Sequence, residues 1–372
     1  FIMSTLETNS IAKYSGNNVA IDDSLNLKSY TTTQRDALTS AAGDIIYNST
    51  DSKVQVYTGS AWQDLGGPNA FNMEYVVIAG GGAGGASYAT ANGGPGGGAG
   101  GYVSNVAGEN TGGGVTADNR EIFIEKGIAY PISIGAGATG QLTTYMGSPS
   151  YFGTILAVGG GSGFDFNTYR RMPKDGGSGS GGQYTNSDDS NVVRQAGVAI
   201  ATQGYGGGRG GYDGQGINYG PSGGGGGAGA VGGAAGTAGG QNNNGGDGGA
   251  GVASSITGSS VTRAGGGGGG VRADTGTRQP GAGGSGGGGA GGVNTGGNGV
   301  SGTANTGGGG GGNSGDDASY VGGSGGSGIV ILRYLTADVS SYSQSGLTIT
   351  ASTTGSYSVL QITAGTGTIT FS

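Results

Sequence analysis

The residues best suited to chemistry in this chain are carboxylates. Asp188-Asp189 and Asp316-Asp317 are adjacent pairs, and Asp165, Asp175 and Asp213 fall in polar loops. Paired carboxylates can hydrolyse glycosides or hold calcium. Neither pair has EF-hand spacing or sits in a Gly-Gly-x-Gly-x-Asp repeat, so both read as solvated loop charge. A glycosidase also needs a shaped groove between its two acids, and this composition offers little to build one. A second candidate is Val76-Val77-Ile78-Ala79-Gly80-Gly81-Gly82-Ala83-Gly84-Gly85, a strand followed by G-x-G-x-x-G. That fingerprint requires a helix next, aimed at a pyrophosphate. Here Asn92-Gly93-Gly94-Pro95-Gly96-Gly97 follows, which cannot form one, and no acidic residue lies between Asn92 and Tyr102. The chain has no histidine and no cysteine, which removes Ser-His-Asp and Cys-His catalysis, most zinc sites, disulfides and Fe–S clusters. No catalytic residue, cofactor site or metal site is therefore assigned, and the chain reads as a non-enzyme.

The aromatic loops carry more information. Phe164-Asp165-Phe166-Asn167-Thr168-Tyr169-Arg170-Arg171 is the richest, and Tyr212, Asn218, Tyr219 and Tyr320 occupy others. Rings beside Asn, Asp and Arg suit recognition of sugars or protein loops. They equally suit covers over the ends of a glycine-rich interior, whose lack of side-chain space excludes them as core. Phe164, Phe166, Tyr169, Tyr212, Asn218, Tyr219 and Tyr320 are the candidate receptor-binding residues. Tyr184, beside Asp188-Asp189, is a reserve candidate.

Glycine dominates the elements that must position these loops: 99 of 372 residues, against 7 prolines. A collagen period is absent. Residues 1–72 are ordinary in composition. Thr33-Gln34-Arg35-Asp36 fits a helix start. Asp44–Asn48, Lys53–Thr58 and Ala61–Leu65 alternate as strands of a small meander, with Trp62, the only tryptophan, as its core residue. At residue 73 the composition changes. Pure runs at Gly223–Gly227, Gly265–Gly270 and Gly307–Gly312 alternate with short loops as far as Gly328. Glu121–Ile124 and Tyr130–Ile134 read as a strand pair within this region. Tyr75–Ile78 and Ile329–Leu332 frame it and are too apolar to leave exposed. Residues 336–372 return to ordinary composition, with short strands at Leu347–Thr350, Tyr357–Thr363 and Thr368–Phe371.

Glycine runs are commonly flexible linkers. Interruption almost entirely by Ala and Ser, and the apolar framing strands, favour order, with extended runs bonded side by side in a polyglycine-II lattice. The expected fold class is mostly β and irregular. It comprises an N-terminal β module for attachment or oligomerisation (1–72), a polyglycine-II helix bundle framed by β-strands (73–335) and a small C-terminal β region (336–372). Net charge is −7 with only 15 Lys and Arg, which argues against nucleic acid as partner. No apolar run approaches the roughly 20 residues of a membrane span, and no secretion signal is read. Met3-Ser4-Thr5-Leu6 reads as a natural start, two residues into the chain.

Tyr75–Gly82, Gly127–Gly137, Ser150–Gly153 with Ala157–Gly161, and Gly326–Tyr334 resemble the opening, middle and closing strands of the glycine-rich domain of tailed-bacteriophage tail-fibre and adhesin proteins. Gly43–Asn48 through Tyr57–Trp62 is similar to a small module of phage structural proteins. The resemblance covers most of the chain. It implies a virion protein, assembled as a homotrimer with other tail or head proteins, whose loops contact a host cell-surface glycan or outer-membrane protein. It departs from long fibres in lacking a coiled coil or repetitive shaft. The competing expectation is a purely structural virion or filament component without receptor binding. An ice-binding bundle and a surface-glycan hydrolase are the weaker alternatives.

Overall fold

A computed structural model describes residues 27–65, 70–86, 92–117, 122–140, 146–163, 174–184, 195–211, 220–236, 244–272, 278–293, 297–315 and 319–372. The chain divides into two compact units, Phe1–Asn69 and Ala70–Ser372.

The first unit is a four-stranded sheet in the order β1 (Ser29–Tyr30), β2 (Ile45–Asn48), β3 (Lys53–Tyr57) and β4 (Trp62–Asp64). Among its described residues the one helix is α1 (Thr32–Asp36), whose cap falls two residues before that of the expected box. Thr31 is the cap: its hydroxyl accepts from Gln34 N, and Gln34 Oε1 accepts from Thr31 N at 2.9 Å. The reciprocal bonds satisfy donors that a short helix otherwise leaves open. Gly43 and Gly59, both at φ +98°, make the turns that precede β2 and β4. The centre of this unit is polar. Asn48 Nδ2 donates to Gln55 Oε1 (3.1 Å) and Asp51 Oδ2 (2.8 Å), and Arg35 Nη1 donates to the same Gln55 oxygen (2.9 Å). Trp62 is only half-buried, so its expected place as core residue is corrected. It stands on a three-residue edge strand, half-exposed among the described residues.

The second unit is organised by a nine-stranded sheet. Its strands are β5 (Ala70–Ile78), β6 (Tyr102–Ser104), β7 (Ile122–Glu125), β8 (Ala129–Ser133), β9 (Ser150–Phe152), β10 (Ile155–Ala157), β13 (Ile329–Leu335), β14 (Tyr342–Thr354) and β15 (Tyr357–Phe371). The order is β10-β9-β8-β15-β13-β5-β6, with β14 on β15 and β7 on β5. The hairpin β11 (Val252–Ser254) and β12 (Val261–Arg263) stands apart. The framing strands pair antiparallel with each other, Ile78 opposite Ile329 and Val76 opposite Ile331. Glu121–Ile124 and Tyr130–Ile134 were expected to pair together; instead β7 joins β5, and β8 lies between β15 and β9.

Alternation along the framing strands feeds two cores. Phe71, Met73, Tyr75 and Val77 join Val330, Leu332, Tyr334, Leu360, Ile362 and Phe371 on one face. Val76, Ile78, Ile329 and Ile331 meet Ala99, Tyr102, Ala228, Val252 and Ile256 on the other. A strand buried on both faces reads as an unbroken apolar run, and this is why these segments stand out in the sequence. Phe71, Tyr334 and Phe371 pack edge-on, with ring centroids 5.4–5.6 Å apart. The sheet curls until it nearly closes. Gln203 bridges the seam: its carbonyl accepts from Tyr102 N on β6 (2.9 Å), its Oε1 from Val158 N (2.8 Å), and its Nε2 donates to Leu156 O on β10 (2.9 Å).

The expected fold class is corrected on two counts. There is no polyglycine-II helix bundle. Among the described residues, regular structure is nearly all strand, the only helical pieces being α1 and single 3-10 turns at Gly112–Gly114 and Thr336–Asp338. Nor is the C-terminus a small separate β region. Where three short strands were expected, two long ones form: β15 pairs along one edge with β13 and then β8, and along the other with β14. The apolar framing strands need long partners on both edges, and the C-terminal hairpin supplies one. The glycine runs are extended segments outside any sheet ladder, and they are ordered by hydrogen bonds to several neighbours in turn. In Gly265–Gly270 the N–H groups of 265 and 268 bond Gly286 and Gly289. Those of 266 and 269 bond Gly249 and Gly246, and those of 267 and 270 bond Gly97 and Gly94, at 2.8–3.2 Å. A Cβ at Gly267 would lie 2.0 Å from Gly310 O, and one at Gly84 would lie 1.9 Å from Gly311 O, so only glycine permits this approach.

Candidate functional site

Of the seven candidate receptor-binding residues, Phe164, Phe166, Tyr169, Tyr212, Asn218 and Tyr219 lie outside the described residues. Tyr320 is half-buried. Its ring lies over Gly297, where a Cβ would meet it at 2.3 Å, and its carbonyl accepts from Asn313 Nδ2 at 2.9 Å. That is the position of a cover anchored by its neighbours. Tyr184 is 3% exposed and packs its ring against Gly220. Rings were expected to be excluded from the glycine interior; a ring can be core there when a bare glycine faces it.

Of the candidate carboxylates only Asp175 lies among the described residues. Asp175 Oδ1 accepts from Val198 N at 2.7 Å, a loop-fixing bond, while Asp165, Asp188, Asp189, Asp213, Asp316 and Asp317 lie outside the described residues. Among the described residues no group of three or more acidic side chains could hold a metal ion. The G-x-G-x-x-G glycines have no amide to offer a phosphate. The N–H groups of Gly80, Gly82 and Gly85 already bond the carbonyls of Ser148, Gly98 and Pro95.

Two places concentrate functional side chains. The first is a groove in the N-terminal unit, between α1 and the β3–β4 turn, lined by Arg35, Asp36, Ser40, Tyr57, Ser60 and Trp62. The Tyr57 and Trp62 rings lie 5.4 Å apart at 54°, forming a bent aromatic floor. Arg35 is pinned. Its Nε and Nη2 donate to Asp36 Oδ1 (2.9 and 2.7 Å) and its Nη1 to Gln55, so the charged wall is set before any partner arrives. Ser40 Oγ is buried there without a hydrogen-bond partner among the described residues. A half-exposed Trp–Tyr pair beside an oriented carboxylate can seat a sugar ring or a proline-containing segment, because flat apolar rings and a fixed acceptor suit both. The sequence signal for this groove was Trp62 two residues after the Gly59-Ser60 turn, on a strand too short to bury it.

The second is a buried polar cluster behind β6. Tyr102 is 1% and Arg263 7% exposed, and among the described residues neither Arg263 Nη1 nor Glu109 Oε2 has a hydrogen-bond partner. Burial pushes the Tyr102 hydroxyl well above the usual phenol range, with Glu109 adding to the rise, and burial lowers Arg263. Nearby, Arg333 on β13 pairs with Glu74 on β5, a bond that holds the guanidinium above its ordinary value. Glu109 Oε1 accepts from Ser255 N at 2.7 Å, and Arg333 Nη1 donates to Ser255 O at 3.4 Å, which ties the hairpin turn, the 105–117 segment and the sheet together.

No curated protein matches the chain. A family model described as a glycine-rich domain matches residues 58–335, which include the framing strands and every glycine run. By that match over more than half its length, the chain belongs to the glycine-rich domain family.

Proposed function

We propose that this chain is a non-enzymatic structural protein of a tailed-phage particle, a tail fibre or adhesin that mediates attachment to the host surface. The observation that carries the reading is the saturation of the glycine runs. Their amides and carbonyls are consumed between neighbours, so the region has nothing left to read a ligand and serves as a stiff scaffold. Recognition then belongs to the loops between runs, bearing Phe164, Phe166, Tyr169, Tyr212, Asn218, Tyr219 and Tyr320, with a host glycan or outer-membrane protein as partner. Loops vary without disturbing a scaffold, which suits changing receptors. The N-terminal unit joins the chain to other virion proteins, and the Trp62 groove is its docking place, since pre-set aromatic pockets are where binding energy concentrates.

Changing Tyr169 and Tyr219 together to Ala should weaken adsorption to host cells and leave the thermal midpoint unchanged. Trp62→Ala should lower the protein's incorporation into particles. Absence of the chain from purified particles by mass spectrometry would overturn the virion reading. Unchanged adsorption of particles lacking the chain would favour the second reading, a purely structural component. That reading is favoured by Tyr320, which sits as a cover and not as a free ring.

A further inference from the structure

The sheet treats its boundaries unequally. At β10 and β6 the ends are drawn together by Gln203. The outer edge of β14 is left open. β14 runs 13 residues and pairs with β15 along its whole length. From Tyr342 to Thr354, no backbone hydrogen bond to any other element is found among the described residues. The direction of the free groups follows from the ladder. Thr336 N donates to Ser356 O at 2.9 Å, and Leu335 stands opposite Tyr357. Antiparallel alternation then turns Ser358, Leu360 and Ile362 toward β13, and Tyr357, Val359 and Gln361 toward β14. The partners of the latter, Thr354, Ser352 and Thr350, bond inward. Ile349, Ala351 and Thr353 are left with N–H and C=O pointing outward.

An edge of this kind is a template for another strand, and proteins normally blunt it with charge, proline or bulges. Tyr342–Thr354 contains no Lys, Arg, Asp, Glu or Pro. Its irregularities fall between Ser345 and Leu347 and between Thr348 and Ile349, so Ile349–Thr354 is regular, and residues 350–353 are exposed.

We propose that this edge pairs with β14 of a second copy of the chain, antiparallel about a two-fold axis at Ala351, so that one sheet continues through both copies. Identical strands can pair this way in self-consistent register: Ala351 faces its own copy and Ile349 faces Thr353, all residues whose backbone groups point outward. The chain carries net charge −7, so copies repel in general, and an uncharged strand is where two can approach. Exposed hydroxyls at Thr350, Ser352 and Thr353 suit Thr–Ser contacts across the new pair. The inference does not depend on the virion reading. It yields a two-fold contact where the family resemblance implies a three-fold one.

Light scattering on the intact chain at micromolar concentration should give the mass of two copies. Ala351→Lys and Ala351→Glu should each halve it, with circular dichroism and thermal midpoint unchanged, and mixing the two variants should restore the pair. Hydrogen exchange gives a readout that needs no variant: the amides of Ile349, Ala351 and Thr353 should be protected in the wild type. A monomer, an assembly of three, or an assembly that survives both substitutions would overturn the proposal. So would free exchange at those three amides, or their protection only when another protein is added.

Discussion

The nine-stranded sheet and the glycine runs solve the same problem with opposite means. The sheet buries side chains on two faces, and its cores consist of interlocking rings and branched chains. The runs bury backbone, with every N–H spent on a neighbour and no room for a methyl group. The sheet therefore loses stability when atoms are removed, and the runs lose it when atoms are added. Glycine gives up more freedom than any residue on being fixed, so the runs need each of these bonds to remain ordered.

The sharpest break comes from adding atoms. In Gly267→Val the first new carbon lies 2.0 Å from Gly310 O, against backbone that is itself locked, so a loss of about 3 kcal/mol or more is expected. Its thermal midpoint should fall far below that of Ser259→Ala on an exposed turn; equal midpoints would contradict the close-approach argument. Removing atoms from the sheet comes next. Leu332→Ala, at a fully buried position, should cost about 2–5 kcal/mol in denaturant unfolding. A cost under 1 kcal/mol, set against that range, would mean that the sheet is not the load carrier.

A smaller effect is expected at the seam where the sheet nearly closes. Gln203→Ala removes two side-chain bonds and leaves Val158 N and Leu156 O without them. The expected loss is about 1–3 kcal/mol, together with faster exchange at Val158 than at Val330. The smallest effect belongs to the N-terminal unit. Lys53 Nζ bonds Asp64 Oδ2 at 2.6 Å and holds that carboxyl below its ordinary value, against a desolvation that raises it. A lowered folded value contributes stability that is present above the unfolded value, near pH 4, and is lost as pH falls through the folded one. Asp64→Asn should flatten the acid side of the stability curve there. At higher pH it should change stability by well under about 1 kcal/mol, because the pair is partly exposed.

Much of the sheet could be read from the chain. Tyr75–Ile78 and Ile329–Leu332 stood out as strands because burial on both faces leaves no polar alternation. Asp44–Asn48 and Lys53–Thr58 alternated as half-buried strands do, and became β2 and β3. Partners were not legible. Glu121–Ile124 and Tyr130–Ile134 sit close in sequence, yet join different strands, since local order says nothing about which distant edge is vacant. Trp62 was read as core because a lone tryptophan usually is; the polar network of Asn48, Gln55 and Arg35 took that place. Tyr184 was read as external because a ring needs space, and Gly220 provided it.

The amino-acid sequence alone settled what chemistry is absent and where the composition changes. Without histidine or cysteine, whole classes of catalysis are closed, and runs of bare glycine can approach one another as no other residue can. Tertiary structure decided what those runs bond to and which strand completes the sheet. A run of glycines has no side chain to specify a neighbour, so its partners are fixed only when the framing strands meet across some 250 residues of chain. The same meeting sets one edge of β15 against β13 and β8 in turn and the other against β14, whose far edge has no strand partner among the described residues.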